Sequence, residues 1–371
     1  MELTKCKLGE LITQRREKSD GTPLPICGVS KDGLIPPKQI DADTSIYNVF
    51  YRDDFIFNPA RMELNSIAIN DKYDRAICSS LYEVFYVHRT DLLLPHYLKL
   101  IVKQKWFTRY CEFLGQGSAR EYCRFNNISE IEIEFPSIEE QKKIVEHYTA
   151  LQNRIAIKKQ INDNLANELA AFYELACPKI KDGEDAPNGW SIGSLGDIIK
   201  SIRHNVKIDD IPANSIYVGL EHIPRKTLVL DAHGSIEDVS SDKLKASKGD
   251  VLFGKIRPYF HKVSVLPYDV FCSGDALVLN AKEKDMYGFV VLTLFSTRCV
   301  DFAVQMSNGA KMPRAEWKEL QKYPIPIPNK EIAKQFNEIV SSALDLIFAN
   351  TEEIRKLIEM QGLIASRLSS R

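Results

Sequence analysis

The sequence predicts an α+β protein built from two similar lobes, each closed by a long helix. Three observations predict it. A series of short phrases recurs in the same order in both halves of the 371-residue chain. Each half reads as short β-rich runs followed by helical patterns. Each half then ends in a long apolar stripe with heptad spacing.

The recurrence decides the architecture. "KLGELI" (Lys7–Ile12) returns as "SLGDII" (Ser194–Ile199), and "ICGVS" (Ile26–Ser30) as "YVGLE" (Tyr217–Glu221). "DFIFNPAR" (Asp54–Arg61) returns as "DVLFGKIR" (Asp250–Arg257), and "AICS" (Ala76–Ser79) as "VFCS" (Val270–Ser273). "GQGSAR" (Gly115–Arg120) lines up with "SNGAKM" (Ser307–Met312), and Pro136 with Pro328. The order is kept, with offsets between 187 and 196 residues. A period of half the chain is too long for a solenoid unit and indicates a duplicated domain.

Within each copy the β-rich runs come first: "PLPICGVS", "NVFYRDDFIF", "SIAIN" and "LYEVFYV" are broken by Gly, Pro, Asn and Asp. One helix follows, with Leu98, Ile101, Val102, Trp106, Tyr110 and Leu114 at helical spacing, matched by Val290, Leu294, Phe302 and Met306. A Gly-containing loop, a strand ending at the proline and the long helix complete the copy. In the first long helix, steps of four and three select Ile144, Tyr148, Leu151, Ile155, Lys158, Asn162, Leu165, Leu169 and Phe172. In the second they select Phe336, Val340, Ala343, Ile347, Asn350, Ile354, Leu357, Gln361, Ile364 and Leu368. Stripes this long favour a coiled-coil seam over a helix packed only on its own lobe. Asn162 and Asn350 are the seam residues that would fix register at a cost in stability. A helix of about 38 residues is about 57 Å long, the dimension of a spacer. The polar stretch "CPKIKDGEDAPNGW" reads as a linker. The expected division is residues 1–136 for the first lobe, 137–177 for the central helix and 178–189 for the linker. Residues 190–328 form the second lobe and 329–371 the C-terminal helix.

Composition narrows the function. A chain that is 44% hydrophobic and 27% charged is globular. With a formal net charge of -1, positive charge for a nucleic-acid partner must be local. Eight cysteines form no CxxC pair and the seven histidines do not cluster with them. That excludes an obvious zinc site and suits reduced thiols in a cytoplasmic protein. The N-terminal stretch lacks a signal-peptide core, and the apolar run Phe289–Phe295 is too short to span a membrane. Phosphate-loop, HExxH and GxSxG motifs are absent. Glu316 and Lys318 have the acid-x-Lys spacing of metal-dependent nucleases, without the upstream acid pair such a site needs. No catalytic residue, metal or cofactor is therefore expected.

Binding remains, and the basic clusters locate it. "GKIRPYFHK" (Gly254–Lys262) carries Lys255, Arg257 and Lys262 beside Tyr259, with no acid. Arg61 ends the phrase that matches Arg257. "KQKWFTRY" (Lys103–Tyr110) is likewise basic and aromatic. "GQGSAREYCR" offers Gln116, Ser118, Arg120 and Arg124, and its counterpart "SNGAKMPR" offers Asn308, Lys311 and Arg314. Gln, Asn and Arg read base edges, whereas Lys mostly holds phosphate. Each residue alone could belong to an ordinary solvated face. The same polar-Gly-polar loop at the same place in both copies favours recognition.

A duplicated lobe in which each copy steps through a proline into a long, Gln-containing helix resembles the DNA specificity subunit of type I restriction-modification systems. The resemblance rests on "IEIEFPSIEEQKKIVEHYTAL", "YPIPIPNKEIAKQFNEIVSSAL", "PNGWSIGSLGDII" and the Gly loops before the helices, and it spans nearly the whole chain. One departure is that Gln335 lies two residues further from Pro328 than Gln141 lies from Pro136. The resemblance implies an α+β fold of two pseudo-symmetric target recognition lobes separated by two long antiparallel coiled-coil helices. It implies that each lobe reads one half of a split, asymmetric site in double-stranded DNA. The helices would set the unread gap, with Leu151, Ile155, Asn162, Leu165, Leu169, Ile347, Asn350, Ile354 and Leu357 in the seam. They would also dock two methyltransferase (modification) subunits, with restriction subunits as further partners. Two rival readings stay open here: the specificity subunit of another restriction class, and a standalone two-lobed DNA-binding regulator.

Overall fold

The computed structural model describes residues 3–37, 40, 43–115, 122–179, 184–307, 309 and 312–369. It divides into two compact units, Met1–Arg154 with Leu357–Arg371, and Ile155–Lys356. Each unit holds one lobe and a stretch of both long helices.

The strands of the first unit are β1 (Thr4–Lys7), β2 (Ile12–Arg15), β3 (Ile26–Ser30), β4 (Gly33–Ile35) and β5 (Asn48–Tyr51), then β6 (Phe55–Phe57), β7 (Ile67–Ile69), β8 (Arg75–Cys78), β9 (Glu83–Val87) and β10 (Glu132–Phe135). Its helices are α1 (Pro95–Val102), α2 (Lys105–Gly115), α3 (Phe125–Ser129) and the first part of α4 (Ile138–Ala176). The second lobe has β11 (Trp190–Ser194), β12 (Ile199–Ile202), β13 (Asn205–Val206), β14 (Ile216–Val218), β15 (Gly234–Ser235) and β16 (Lys243–Ala246), then β17 (Val251–Gly254), β18 (Val263–Val265), β19 (Val270–Cys272), β20 (Ala276–Ala281) and β21 (Pro324–Pro328). Its helices are α5 (Leu195–Ile198), α6 (Tyr287–Phe295), α7 (Thr297–Gln305), α8 (Trp317–Leu320) and α9 (Lys330–Ser369).

The two lobes repeat strand for strand. The sheet order β2-β9-β6-β7 returns as β12-β20-β17-β18. The order β4-β3-β8-β5 returns as β15-β14-β19-β16, with β13 added at the edge. The pairs β3–β8 and β14–β19 are parallel while their neighbours are antiparallel. The ribbon β1–β10 returns as β11–β21. Pro324, Pro326 and Pro328 sit at alternate positions of β21, which confines the missing donors to one edge of that strand.

The repeated phrases are explained by backbone contacts. In "LG-acid", Leu8 and Leu195 are fully buried, and their N–H groups donate to the carbonyls of Ile131 and Tyr323 at 2.8 Å each. The next residue must be glycine: a Cβ on Gly9 would sit 2.9 Å from Ser129 Cβ, and one on Gly196 would sit 3.1 Å from the Gln321 carbonyl. The acid accepts from the backbone three residues back, Glu10 from Lys7 N at 3.1 Å and Asp197 from Ser194 N at 2.7 Å. In "D-x-hydrophobic", the buried Asp54 and Asp250 accept from Tyr51 N and Ser247 N at 2.7 and 2.8 Å. Cys78 and Cys272, wholly buried, are the small residues at the parallel pairings with Cys27 and Val218.

The structure corrects two expectations. The single helix expected after the strands is two helices in each lobe. In the second lobe the break falls at Ser296, whose hydroxyl caps α7 by accepting from Cys299 N at 3.2 Å, and α6 and α7 diverge by 60°. Among the described residues no single helix is long and apolar enough to cross a membrane. The displacement of Gln335 is also no insertion. Ala333 occupies the place of Gln141, five residues after the proline, and both are fully buried. Gln141 there ties α4 to its lobe: its amide donates to the Leu92 and Pro136 carbonyls at 2.8 Å each and its oxygen accepts from Leu94 N at 2.9 Å. Ala333 needs no such partners, and Gln335 is exposed.

All nine seam positions named above are buried or half-buried. In the second unit Asn350 Nδ2 donates to Asn162 Oδ1 at 2.8 Å, and Lys158 Nζ donates to Asn350 Oδ1 at 2.9 Å and reaches the Glu353 carboxylate at 2.7 Å. Lys158 facing Glu353 and Phe172 facing Phe336, their ring centroids 4.9 Å apart, define an antiparallel pair. Trp190 of the "PNGW" phrase stands edge-on to both Phe289 and Phe336 at 5.9 and 6.3 Å, so the seam runs into the core of the second lobe. In the first unit Ile144, Val145 and Leu368 pack on the core of the first lobe.

Two glycines in helices make opposite predictions. A Cβ on Gly288 in α6 would meet the Phe336 carbonyl oxygen at 2.7 Å and Asn337 Cα at 2.8 Å, backbone atoms of α9 that no rotamer change can move. Gly288→Ala should cost about 1–3 kcal/mol. Nothing lies within 4 Å of a Cβ on Gly362, so Gly362→Ala should add about 0.5–1 kcal/mol through helix propensity. Urea denaturation of the two variants checks the pair; equal midpoints would contradict the α6–α9 packing.

Candidate nucleic-acid interface

In the second lobe the chain leaves β17 and pairs again with the segment before α8. Ala315 N donates to the Lys255 carbonyl at 2.9 Å and Arg257 N to the Pro313 carbonyl at 2.8 Å. Lys255 N donates in turn to the Asp275 carbonyl at 2.8 Å. These bonds lock three segments side by side where β17 ends and β20 begins, beside a cleft of about 620 Å³ whose lining includes Ser201, Arg203, Lys255, Arg314, Trp317 and Lys318. Lys255 Nζ donates to the Gly274 carbonyl at 2.5 Å, and the Arg314 guanidinium pairs with the Asp275 carboxylate. Burial lowers the basicity of Lys255, and the positive charges of Arg314 and Arg203 push the same way. Like charges crowd here, which an incoming anion would relieve.

Beside the cleft the loop after β17 carries Arg257 and His261, both at positive φ. Arg257 and Tyr259 are exposed, and Tyr259 packs against Phe260, over which Arg225 lies at 3.9 Å. Lys262 turns inward to the Leu220 carbonyl, and burial lowers its pKa. Of the residues predicted for this lobe, the structure thus brings Lys255 and Arg314 into the cleft and Arg257 and Tyr259 to its flank. It ties Lys262 to the backbone. Asn308 and Lys311 lie outside the described residues, as do Gln116, Ser118 and Arg120 in the first lobe.

The first lobe repeats one bond of this frame with other side chains around it. Cys123 N donates to the Pro59 carbonyl at 3.1 Å, the counterpart of the bond from Ala315 to Lys255. Arg124 pairs with Glu83 at 3.4 Å and lies over the Tyr122 ring at 5.5 Å. Glu83 also accepts from Phe125 N at 2.7 Å and from Gln14 at 3.3 Å, and Gln14 accepts from Arg16 at 2.9 Å. A polar network therefore runs from the end of β2 across β9 to the start of α3. Arg61 is exposed on the turn after β6. Arg15 instead is held inside the lobe, bonded to Asp54 at 2.6 Å between Tyr51 and Tyr86.

Sequence reasoning missed Arg16 and Arg203, which stand one residue past β2 and β12. The signal was present: both lie at the offset that separates Leu8 from Leu195. It also missed Gln14, Glu83 and Asp275, which only the sheet pairing brings to the site.

Two copies of one mixed lobe, each repeating the same two sheet orders and each followed by a long helix, define the class of protein. The fold is similar to that of the type I restriction-modification system S subunit from M. genitalium, with a TM-score of 0.58, 14% identity, and coverage of 99% of this chain and 96% of that one. The chain belongs to the type I restriction modification DNA specificity domain family, whose model matches residues 37–167 and 187–360. It is 24% identical over 280 residues to the type I restriction enzyme EcoDI specificity subunit of Escherichia coli, a match covering 66% of this chain and 61% of that protein. It is 22% identical over 307 residues to the type I restriction enzyme MjaIX specificity subunit of Methanocaldococcus jannaschii, covering 75% and 69%. The match to the first of these relatives thus takes in less than two thirds of its length.

Arg203→Ala and Lys255→Gln should weaken DNA binding to a similar extent across sequences and each lower the salt slope by about one unit. Binding isotherms at several salt concentrations measure this; an unchanged slope would remove both from the phosphate-contact set.

Proposed function

We propose that this chain is the DNA-reading subunit of a type I restriction-modification complex. Each lobe reads one half of a bipartite, asymmetric site in duplex DNA. The paired helices set the unread gap and dock two methyltransferase subunits, with a restriction subunit as a further partner. The observation that carries the reading is the strand-for-strand duplication of the lobe, in which one backbone bond, Cys123 N to Pro59 and Ala315 N to Lys255, recurs at the same place with different side chains around it. Equal frames place two readers alike; unequal linings make the two half-sites different. The five-part division at residues 136, 177, 189 and 328 follows from this reading, with the lobes as readers and the helices as ruler.

On this reading the chain performs no chemistry. Methylation and cleavage belong to the partner subunits, which work in the cytoplasm where the host DNA is. The cleft cations hold phosphate and the half-exposed arginine reads a base edge. The Asn162–Asn350 bond supports the ruler role, because a spacer must have one register.

Removing matched heptads from α4 and α9 tests the ruler. It shortens the pair by about 10 Å, or about three base pairs of duplex. Genome-wide mapping of methylated adenine in cells carrying the complex should then show the same half-sites with a shorter gap, or no assembly. An unchanged gap would end the ruler role. The purified chain alone should neither cut nor methylate DNA when given Mg²⁺ and S-adenosylmethionine; cleavage would restore the Glu316–Lys318 nuclease reading.

A further inference from the structure

We infer that Arg314 and Asp275 act together to read one G·C base pair in the half-site of the second lobe, with Asp275 as the residue that directs Arg314 to a base and away from phosphate. The inference rests on the DNA-reading role proposed above.

Four cations line the second cleft, Arg203, Lys255, Arg314 and Lys318, and they are not equivalent. Lys255 spends its ammonium on the Gly274 carbonyl, and burial and its cationic neighbours lower its basicity. Arg203 is exposed and forms no ion pair with an acid among the described residues, which suits it to meet phosphate. Arg314 is different: its guanidinium is half-exposed and carries a carboxylate, that of Asp275, itself 38% exposed. A carboxylate beside an arginine repels phosphate, because the approaching charge is of its own sign. It repels the O6 and N7 acceptors of guanine far less, because they carry only partial charge. A guanidinium has five donors, so pairing with Asp275 leaves enough for a bidentate contact to guanine. The free lone pairs of Asp275 are then placed to accept from the N4 amino group of the cytosine in the same pair, the partner that acids select.

The backbone supports a reading role. Arg314 sits between Pro313 and Ala315, whose carbonyl and N–H are both bonded to the segment leaving β17, and Ile256 forms a bridge with Arg314 itself. Asp275 is held in turn: its N–H donates to Ser273 Oγ at 3.2 Å and its carbonyl accepts from Lys255 N at 2.8 Å. Base readout needs side chains carried on such fixed segments. The first lobe has the same turn, in which Leu81 N donates to Ser79 Oγ at 3.3 Å. There Leu81 stands in place of Asp275, and Tyr122 in place of Arg314. The pair therefore belongs to one half-site only.

The test uses the complete methyltransferase complex with this chain, with Asp275→Asn and with Arg314→Gln, and maps methylated adenines genome-wide. Binding of duplexes substituted at each position of the second half-site supplies affinities. The wild-type motif should hold one G·C pair in that half-site that loses about 10- to 100-fold in affinity when replaced. Both variants should shrink that discrimination severalfold at that position alone, leaving the first half-site unchanged. A second half-site lacking a G·C requirement overturns the inference, as does an Asp275→Asn motif identical to the wild type. Uniform weakening by Arg314→Gln, with a lower salt slope, would make Arg314 a phosphate contact and overturn it too. Absence of any bipartite methylated motif in the wild type removes the proposed function itself, an outcome distinct from these.

Discussion

The hydrogen bond from Asn350 to Asn162 decides which turn of α4 meets which turn of α9. A slip of one heptad would set Asn350 against Ile155 or Leu169 and leave a buried amide unpaired, at a cost of about 1–3 kcal/mol. Lys158 sharpens the choice, since it bonds both Asn350 and Glu353. An all-apolar seam would be more adhesive and less exact. Register matters here because the seam does not end in solvent. It continues through Phe172 and Phe336 to Trp190 and Phe289, so a slip in the helices would also break the core of the second lobe.

The same economy appears in the lobes. What recurs between copies is a set of backbone contacts: a buried leucine N–H on a carbonyl, a glycine where two segments touch, an aspartate closing a turn, a serine closing the next. What differs is carried by side chains that point away from those contacts. Pro59 and Lys255 each accept one backbone bond, from Cys123 and Ala315 respectively, yet Leu81 and Tyr122 stand in the first lobe where Asp275 and Arg314 stand in the second. A frame held by main-chain bonds tolerates such exchanges, because the exchanged side chains hold no part of it up.

This division explains what could be read in the sequence. The repeat, the heptad stripes and the asparagines were legible because they rest on residue types that local geometry demands at fixed spacing. The break of each predicted helix was not, because Ser296 caps α7 in a segment whose apolar spacing continues across it. Nor was the replacement of Gln141 by Ala333, since the partners of Gln141 lie at Leu92 and Leu94, nearly fifty residues away. The cleft was half legible. Lys255 and Arg314 stood out as basic, but Asp275 and Glu83 enter only through strand pairing, and composition counts them as ordinary acids.

A net charge of -1 then takes on a definite meaning. Non-specific affinity for DNA grows with the number of phosphates neutralised, whereas discrimination grows with the pairing of donors and acceptors at base edges. The second cleft places acids among its cations: Asp275 holds Arg314, and Glu316 stands just before α8, near Lys318. On the proposed reading each acid lowers the general attraction for phosphate and raises the cost of a wrong base, because an unpaired carboxylate facing a mismatched edge is desolvated without compensation. On the proposed reading, near-neutrality is therefore the expected balance for a reader: it gives up general affinity, which other subunits can supply, and keeps the contacts that tell one sequence from another.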